Sequence, residues 1–366
     1  MKLTVYKLGI VFLLIPLLSF SNNIKGKYKK TKKVSKTFEA NRNTVLNIQN
    51  KYGNIDITTW NENRIVIDVT ITVSGNDEEQ VEDKLEKIRI KFDENGNQVS
   101  ATTHTGKTKS KSWFSSSWFS WSTSSNLNYQ IDYTVKMPIE NNLNVFNDYG
   151  SIVLNELNGE ANINCDYGKI IIGDLNNTHN VINIDYTNHS SIDFINKGTI
   201  NADFSKFSLE KANEITLNAD YTTSHFEEIK NLDFNCDFGK MTLGKVHTMS
   251  GYTDYTTVNI EEVTQNIDLN TSFGSLKIQS LNEGFIKADI TASYTSIKIG
   301  IDPKASCQIK SDLSFGKLSY EGDLFNFNRK KIKSTSKSYS GYFNSENSDA
   351  ILKTNSEFGS VKLFQN

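Results

Sequence analysis

The chain has 366 residues, with 40 basic against 42 acidic side chains, 37% hydrophobic residues, three Pro and three Cys. That length accommodates two domains or one elongated repeat array, with an ample core. Ordinary glycine content and scarce proline exclude collagen-like and Pro-rich spacer sequence, an odd cysteine count excludes a disulfide-stapled scaffold, and no apolar run is long enough for a mature membrane span.

Residues 1–21 read as a secretory signal peptide. Lys2 and Lys7 precede an apolar segment from Leu8 to Leu18, and Ser19-Phe20-Ser21 supplies small residues at the cleavage-facing positions. Seven lysines follow between Lys25 and Lys36 with no acid among them. The nine lysines of residues 1–36 leave 37–366 at a formal −11, against −2 for the whole chain. The segment 22–37 is expected to be a disordered, solvated arm, since no aromatic interleaving or nucleic-acid motif accompanies its charge.

Residues 38–140 are expected to form a β-rich module. It opens with an early aromatic unit, Tyr52-Gly53-Asn54-Ile55. Alternation over Ile65–Val73 predicts a long strand. Asn76-Asp77-Glu78-Glu79 then starts a helix in capping-box style, with Val81, Leu85 and Ile88 on one face. Strands are expected around Ile88–Phe92, Val99–Thr103 and Tyr129–Val135, and this module could cover the open end of a solenoid formed by the rest of the chain, since terminal edges invite pairing with other chains. Residues 104–126 are a Ser/Lys-rich loop carrying Trp113, Phe114, Trp118, Phe119 and Trp121. Such aromatics suit recognition of a protein or carbohydrate partner, or they fold back as a cover. Replacing the three tryptophans with Ser separates the two readings: lost binding with stability kept, or lost stability.

From 141 onward the chain repeats. An aromatic followed by Gly, Thr or Ser recurs from Tyr149 to Phe315 at gaps of 18, 19, 18, 17, 17, 17, 18, 21 and 21, and a last copy, Phe358, follows after 43. Positions three, five and eight after the aromatic, and two and four before it, are mostly apolar. In the Phe238 unit they are Met241, Leu243, Val246, Cys236 and Phe234. Alternation on both sides argues short strands, and a change of inward parity at the aromatic requires a bend or bulge. Stacked laps of 17–21 residues make an all-β solenoid over 141–366, with a loop insertion at 321–348 holding Arg329, Lys330, Lys331 and Lys333. A β-sandwich of hairpins is the competing architecture, but it does not hold one aromatic column in phase. The aromatics read as a core ladder.

Immediately before the aromatics stand Asp148, Asp166, Asp185, Asp203, Asp220, Asp237 and Asp254. At a coil pitch of about 5 Å, neighbouring carboxylates repel by about 0.8 kcal/mol in bulk water and about 3 kcal/mol at a dielectric of 20. Ca²⁺ between coils would offset this, but six to eight oxygens and a Gly-rich calcium motif are wanting. The favoured expectation is that each Asp bonds the backbone of its own bend, while Asn164, Asn183, Asn201, Asn218, Asn235 and Asn270 form amide ladders. No cofactor is assigned. Cys165 and Cys236 share a column four coils apart, beyond disulfide reach, and read with Cys307 as buried thiols. The five histidines fall in no metal-ligand spacing, and no nucleophile-elbow or phosphate-loop motif is present.

The units Asn50-Lys51-Tyr52-Gly53-Asn54-Ile55, Asn147-Asp148-Tyr149-Gly150-Ser151-Ile152 and Cys165-Asp166-Tyr167-Gly168-Lys169-Ile170 resemble the bacterial exported putative adhesin family, which is related to the putative auto-transporter adhesin head domain. Tyr133-Thr134-Val135-Lys136-Met137-Pro138 adds to the resemblance, which covers roughly 38–366. It implies a β-helical protein of the periplasm, outer-membrane surface or extracellular space, without catalytic residues. The expected function is a non-enzymatic structural or adhesin-like role, with an envelope protein or surface glycan as partner and no nucleic acid. A carbohydrate-active β-helix enzyme is the alternative; the Asp column would supply its carboxylates, but as a uniform row without a distinguished pair.

Overall fold

A strand whose apolar residues reverse parity at a fixed point must either bulge or pass through a left-handed residue. This chain does the second, at every repeat. In a computed structural model describing residues 26–106 and 127–366, twelve aromatics from Tyr52 to Phe358 have φ between 49° and 65°. The left-handed residue turns the chain and sends the following side chain inward. Over the described residues the fold is all-β with one helix. It divides into two compact units, Met1–Gly159 and Glu160–Asn366.

In the second unit, parallel coils stack in register from one aromatic to the next. Phe207 pairs with Ser224, Ser224 with Met241, and Met241 with Val258. Within the Phe204 coil the inward residues are Ser205, Phe207, Leu209, Ala212, Ile215, Leu217 and Ala219. Steps of three residues on either side of Ala212, among steps of two, mark two further corners in each lap. The columns expected inside are inside: Ile170, Phe207, Met241, Val258, Leu276 and Ile297, three residues after the aromatic, are all buried. Stacked coils bury what no single lap could.

The end of this unit is out of sequence order. Strand Ile351–Glu357 pairs in parallel with Lys287–Ser293 on one side and Cys307–Ser314 on the other. Strand Ser360–Gln365 likewise lies between Ser296–Ile301 and Lys317–Glu321. The last coil is therefore a wedge between two earlier ones. The segment 321–348 is no loop. Phe325–Ile332 and Ser336–Phe343 form an antiparallel hairpin whose second strand pairs with Cys307–Ser314. Its alternation was hidden because the first strand is exposed on both faces over Asn328–Ile332.

In the first unit, Val45–Lys51 and Ile55–Trp60 form a coil flanked by Asn142–Asp148 and Ser151–Leu157 on one side. Gln98–His104 and Asn128–Pro138 flank it on the other. This pairing carries the unit to Gly159, past the 140/141 boundary expected from sequence. Antiparallel strands then cover the edge: Arg64–Gly75 on Asn128–Pro138, and Arg89–Asn95 on Gln98–His104. From Tyr28 onward the expected arm is a strand and not disordered. Tyr28–Glu39 is a strand antiparallel to Arg64–Gly75, because Lys30, Lys32 and Val34 alternate with exposed residues on a half-buried face and Phe38 is buried. Helix Glu78–Lys87 starts where expected: the Asp77 carboxylate accepts the Gln80 N–H at 3.1 Å, and Lys30 pairs with Glu78 and Glu82.

Candidate functional site

The left-handed aromatics put their rings outside. In the second unit Tyr167, Tyr186, Phe204, Tyr221, Phe238, Tyr255, Phe273, Tyr294, Phe358 and Phe315 stack in that order. Centroids are 4.8–5.0 Å apart and planes lie within 9° of parallel. Each ring is between 42% and 60% exposed, so the column is a surface stripe and the expected core ladder is overturned. Phe358 takes its place between Tyr294 and Phe315, as the wedge topology requires. Ring faces cover one another, leaving the edges and the tyrosine hydroxyls to solvent.

Behind the rings the backbone is fully tied. Along the column each ring residue's N–H donates to the carbonyl of the residue before the next ring, as from Tyr221 to Asp237 and from Phe238 to Asp254, at 3.0 Å, and the last, Phe315, donates to Thr335 of the hairpin. The residue after the ring solves the close approach in one of two ways. Thr222 and Thr256 turn a hydroxyl to the carbonyls of Ala202 and Cys236. Gly239 has no side chain at all; a Cβ there would lie 2.4 Å from the Thr222 carbonyl oxygen.

The aspartates beside the rings bond the backbone, but of the next coil rather than of their own bend. Asp203 Oδ1 accepts the N–H of Asp220 at 3.3 Å, and Asp237 Oδ1 that of Asp254 at 3.1 Å. Asp185, Asp203, Asp220, Asp237 and Asp254 lie in one register column. Burial first, and then the charge of neighbouring aspartates, hold the Asp185 and Asp220 carboxyls above the usual range. Asp166 belongs to the same column, paired with Asp185. Two residues before each acid, amides form the expected ladder: Asn183 donates to Asn164, Asn201 to Asn183 and Asn218 to Asn201, at 2.6–2.8 Å.

The first unit has the same arrangement with one change. Tyr52 stacks on Tyr149 at 5.2 Å, but the residue before Tyr52 is Lys51. Its ammonium lies 5.3 Å from both ring centroids and 3.5 Å from an Asp148 carboxylate oxygen. Sequence reasoning missed this group, although Lys51 stands in the aspartate column of the alignment.

Trp113, Phe114, Trp118, Phe119 and Trp121 lie outside the described residues. Among the described residues no three His, Cys, Asp or Glu side chains form a group that could hold a metal. Cys165, Cys236 and Cys307 are all buried, and burial pushes the Cys236 and Cys307 thiols up to about 12. His104, His179, His189, His225 and His247 are on the surface. An open groove of about 510 Å³ lies where Asp312 and Glu357 face Lys331, Lys333 and Lys337 of the hairpin.

No family model and no curated protein matches this chain. Among solved structures it is similar to a putative adhesin from Parabacteroides merdae at 10% identity and a TM-score of 0.33, covering 93% of this chain and 98% of that one. It is similar to a putative adhesin from Parabacteroides distasonis at 9% identity and a TM-score of 0.30, covering 91% and 97%. A putative cell adhesion protein from Clostridium sporogenes shares 13% identity at a TM-score of 0.19, covering 92% and 100%.

Proposed function

We propose that this chain is an exported, non-enzymatic protein of the bacterial envelope that makes adhesin-like contact through the ring stripe of its second unit. The observation that carries the reading is the outward column itself: ten stacked rings, each about half exposed. Soluble proteins rarely expose contiguous apolar surface on this scale without a partner for it. The accompanying carboxylates and amides repeat with the coil instead of converging, which suits a long or repetitive ligand better than a reaction centre. Export rests on the lysine-led apolar segment of residues 1–18.

The test compares retention on native envelope for the full chain and a Phe204→Asn/Tyr221→Asn/Phe238→Asn variant. Asparagine tolerates the left-handed conformation, so the backbone step at each coil is kept while three rings are removed. Retention should fall several-fold in the variant, with the circular dichroism spectrum unchanged. Equal retention by the two proteins overturns the stripe. Release of reducing ends from a polysaccharide panel would establish the carbohydrate-active enzyme instead.

A further inference from the structure

In the first unit a cation already occupies the junction between ring column and carboxylate. The Lys51 ammonium sits beside Tyr52 and Tyr149 and reaches Asp148 of the next coil. In the second unit the equivalent position is acidic in consecutive coils, Asp203, Asp220, Asp237 and Asp254, so these coils supply no counterpart of Lys51. The neighbouring rings are 4.8–4.9 Å apart. Each carboxylate that bonds the backbone commits Oδ1 to it, and like charges follow one another at the coil pitch. Such a row attracts a cation whose charges repeat with the same period.

We infer that the second unit binds a linear aliphatic polyamine along this stripe, successive ammonium groups taking in successive coils the place that Lys51 takes in the first unit. A three-carbon spacer sets two amines roughly 5 Å apart when extended, four zigzag bonds of about 1.5 Å each. That matches the ring spacing. Each ammonium then neutralises one carboxylate and relieves its repulsion with the next, while the methylenes lie against ring edges. The inference rests on the proposed contact stripe and names its ligand.

The probe is norspermine, four amines joined by three-carbon spacers, titrated calorimetrically into the full chain at low ionic strength. The reference is a diamine of equal length charged only at its ends. Norspermine is expected to bind saturably and about tenfold or more tighter than the diamine, as two extra ammonium–carboxylate contacts predict. Salt near 1 M should abolish most of that advantage by screening. Asp203→Asn/Asp220→Asn/Asp237→Asn keeps an acceptor for each backbone N–H and should lose about tenfold in affinity without a lower melting temperature. Asp220→Lys, which installs a second Lys51-like ammonium, should weaken binding likewise. Norspermine bound equally by wild type and both variants overturns the inference, as does a diamine that binds as well as norspermine. Envelope retention is scored on the same variants. Absent norspermine binding with ring-dependent retention intact sinks the polyamine alone, whereas ring-independent retention sinks the stripe.

Discussion

An aromatic residue held at φ near 50° costs about 1–2 kcal/mol relative to ordinary backbone. Here each is held by a backbone hydrogen bond to the next coil, worth about 1 kcal/mol, and by stacking on two neighbours at about 0.5–1.5 kcal/mol per pair. Ring loss and backbone strain can be separated at Phe238, which stacks on Tyr221 and Tyr255 at 4.9 Å. Phe238→Asn should destabilise by about 2 kcal/mol through lost stacking alone. Phe238→Val loses the same rings and adds a β-branched left-handed residue, so denaturant titration should place it about 1–2 kcal/mol lower still. Equal values would show that the backbone sets no constraint. The aspartates give a second prediction, with a defined sign. Asp185 and Asp220 carboxyls are raised in the folded chain by burial and neighbouring charge. The native state therefore binds more protons than the unfolded one between the ordinary carboxyl value, near 4, and the raised folded values. Stability attributable to these groups falls as pH rises through that window. Asp220→Asn should melt above wild type at pH 7, with the gap closing toward pH 4; a gap that widens on acidification contradicts the assignment. The parity reversal at each aromatic was legible in the sequence, but the direction of the ring was not. Burial forces apolar residues into phase, whereas a stacked ring satisfies its apolar surface either inside a core or against its neighbours outside.

At the scale of elements, the wedge makes the last coil indispensable to the one spatially beyond it. Cys307–Ser314 and Lys317–Glu321 reach the rest of the unit by strand pairing through Ile351–Glu357 and Ser360–Gln365. Truncation after Ser348 should therefore release residues 307–343 while the coils from Tyr167 to Phe273 stay ordered. Hydrogen exchange followed by mass spectrometry should find lost protection confined to segments from Lys287 onward, since each coil depends on its immediate neighbours. Uniform loss along the unit would mean that the solenoid melts as one body. The gap of 43 residues announced an insertion, and the Phe358-Gly359-Ser360-Val361 unit announced a coil. Neither could announce the spatial order, because a repeat unit fits any vacant slot of the right pitch. The hairpin was illegible for a different reason: Phe325–Ile332 gives few apolar residues to any face beyond Phe325 and Phe327. The helix was legible, because Asp77 and Val81 act locally, one as cap and one as anchor.

At the scale of the whole molecule, stacked parallel coils create a problem that a globular domain avoids: each unfinished edge is a template for another chain. Both units answer it with antiparallel strands rich in cations. In the first, Tyr28–Glu39 pairs with Arg64–Gly75 and carries Lys29, Lys30, Lys32, Lys33 and Lys36. In the second, Phe325–Ile332 pairs with Ser336–Phe343 and carries Arg329, Lys330 and Lys331. Two copies approaching edge to edge would have to bury lysine against lysine, and the charge is adjacent to the very backbone groups that would pair. The cations contribute little to folding, since exposed surface substitutions usually change stability by no more than about 0.5 kcal/mol. They act against association. Replacing Lys29, Lys32, Lys33 and Lys36 with Thr keeps strand propensity and removes the repulsion. The variant should unfold near the wild-type midpoint, yet sediment as larger species that grow with protein concentration and shrink when the lysines are restored. The Arg329→Thr/Lys330→Thr/Lys331→Thr variant should behave in the same way through the other edge. Sedimentation identical to wild type in both variants would assign edge protection to strand twist and shape, leaving the ion pairs of Lys30 with Glu78 and Glu82 as the structural contribution of that strand's cations.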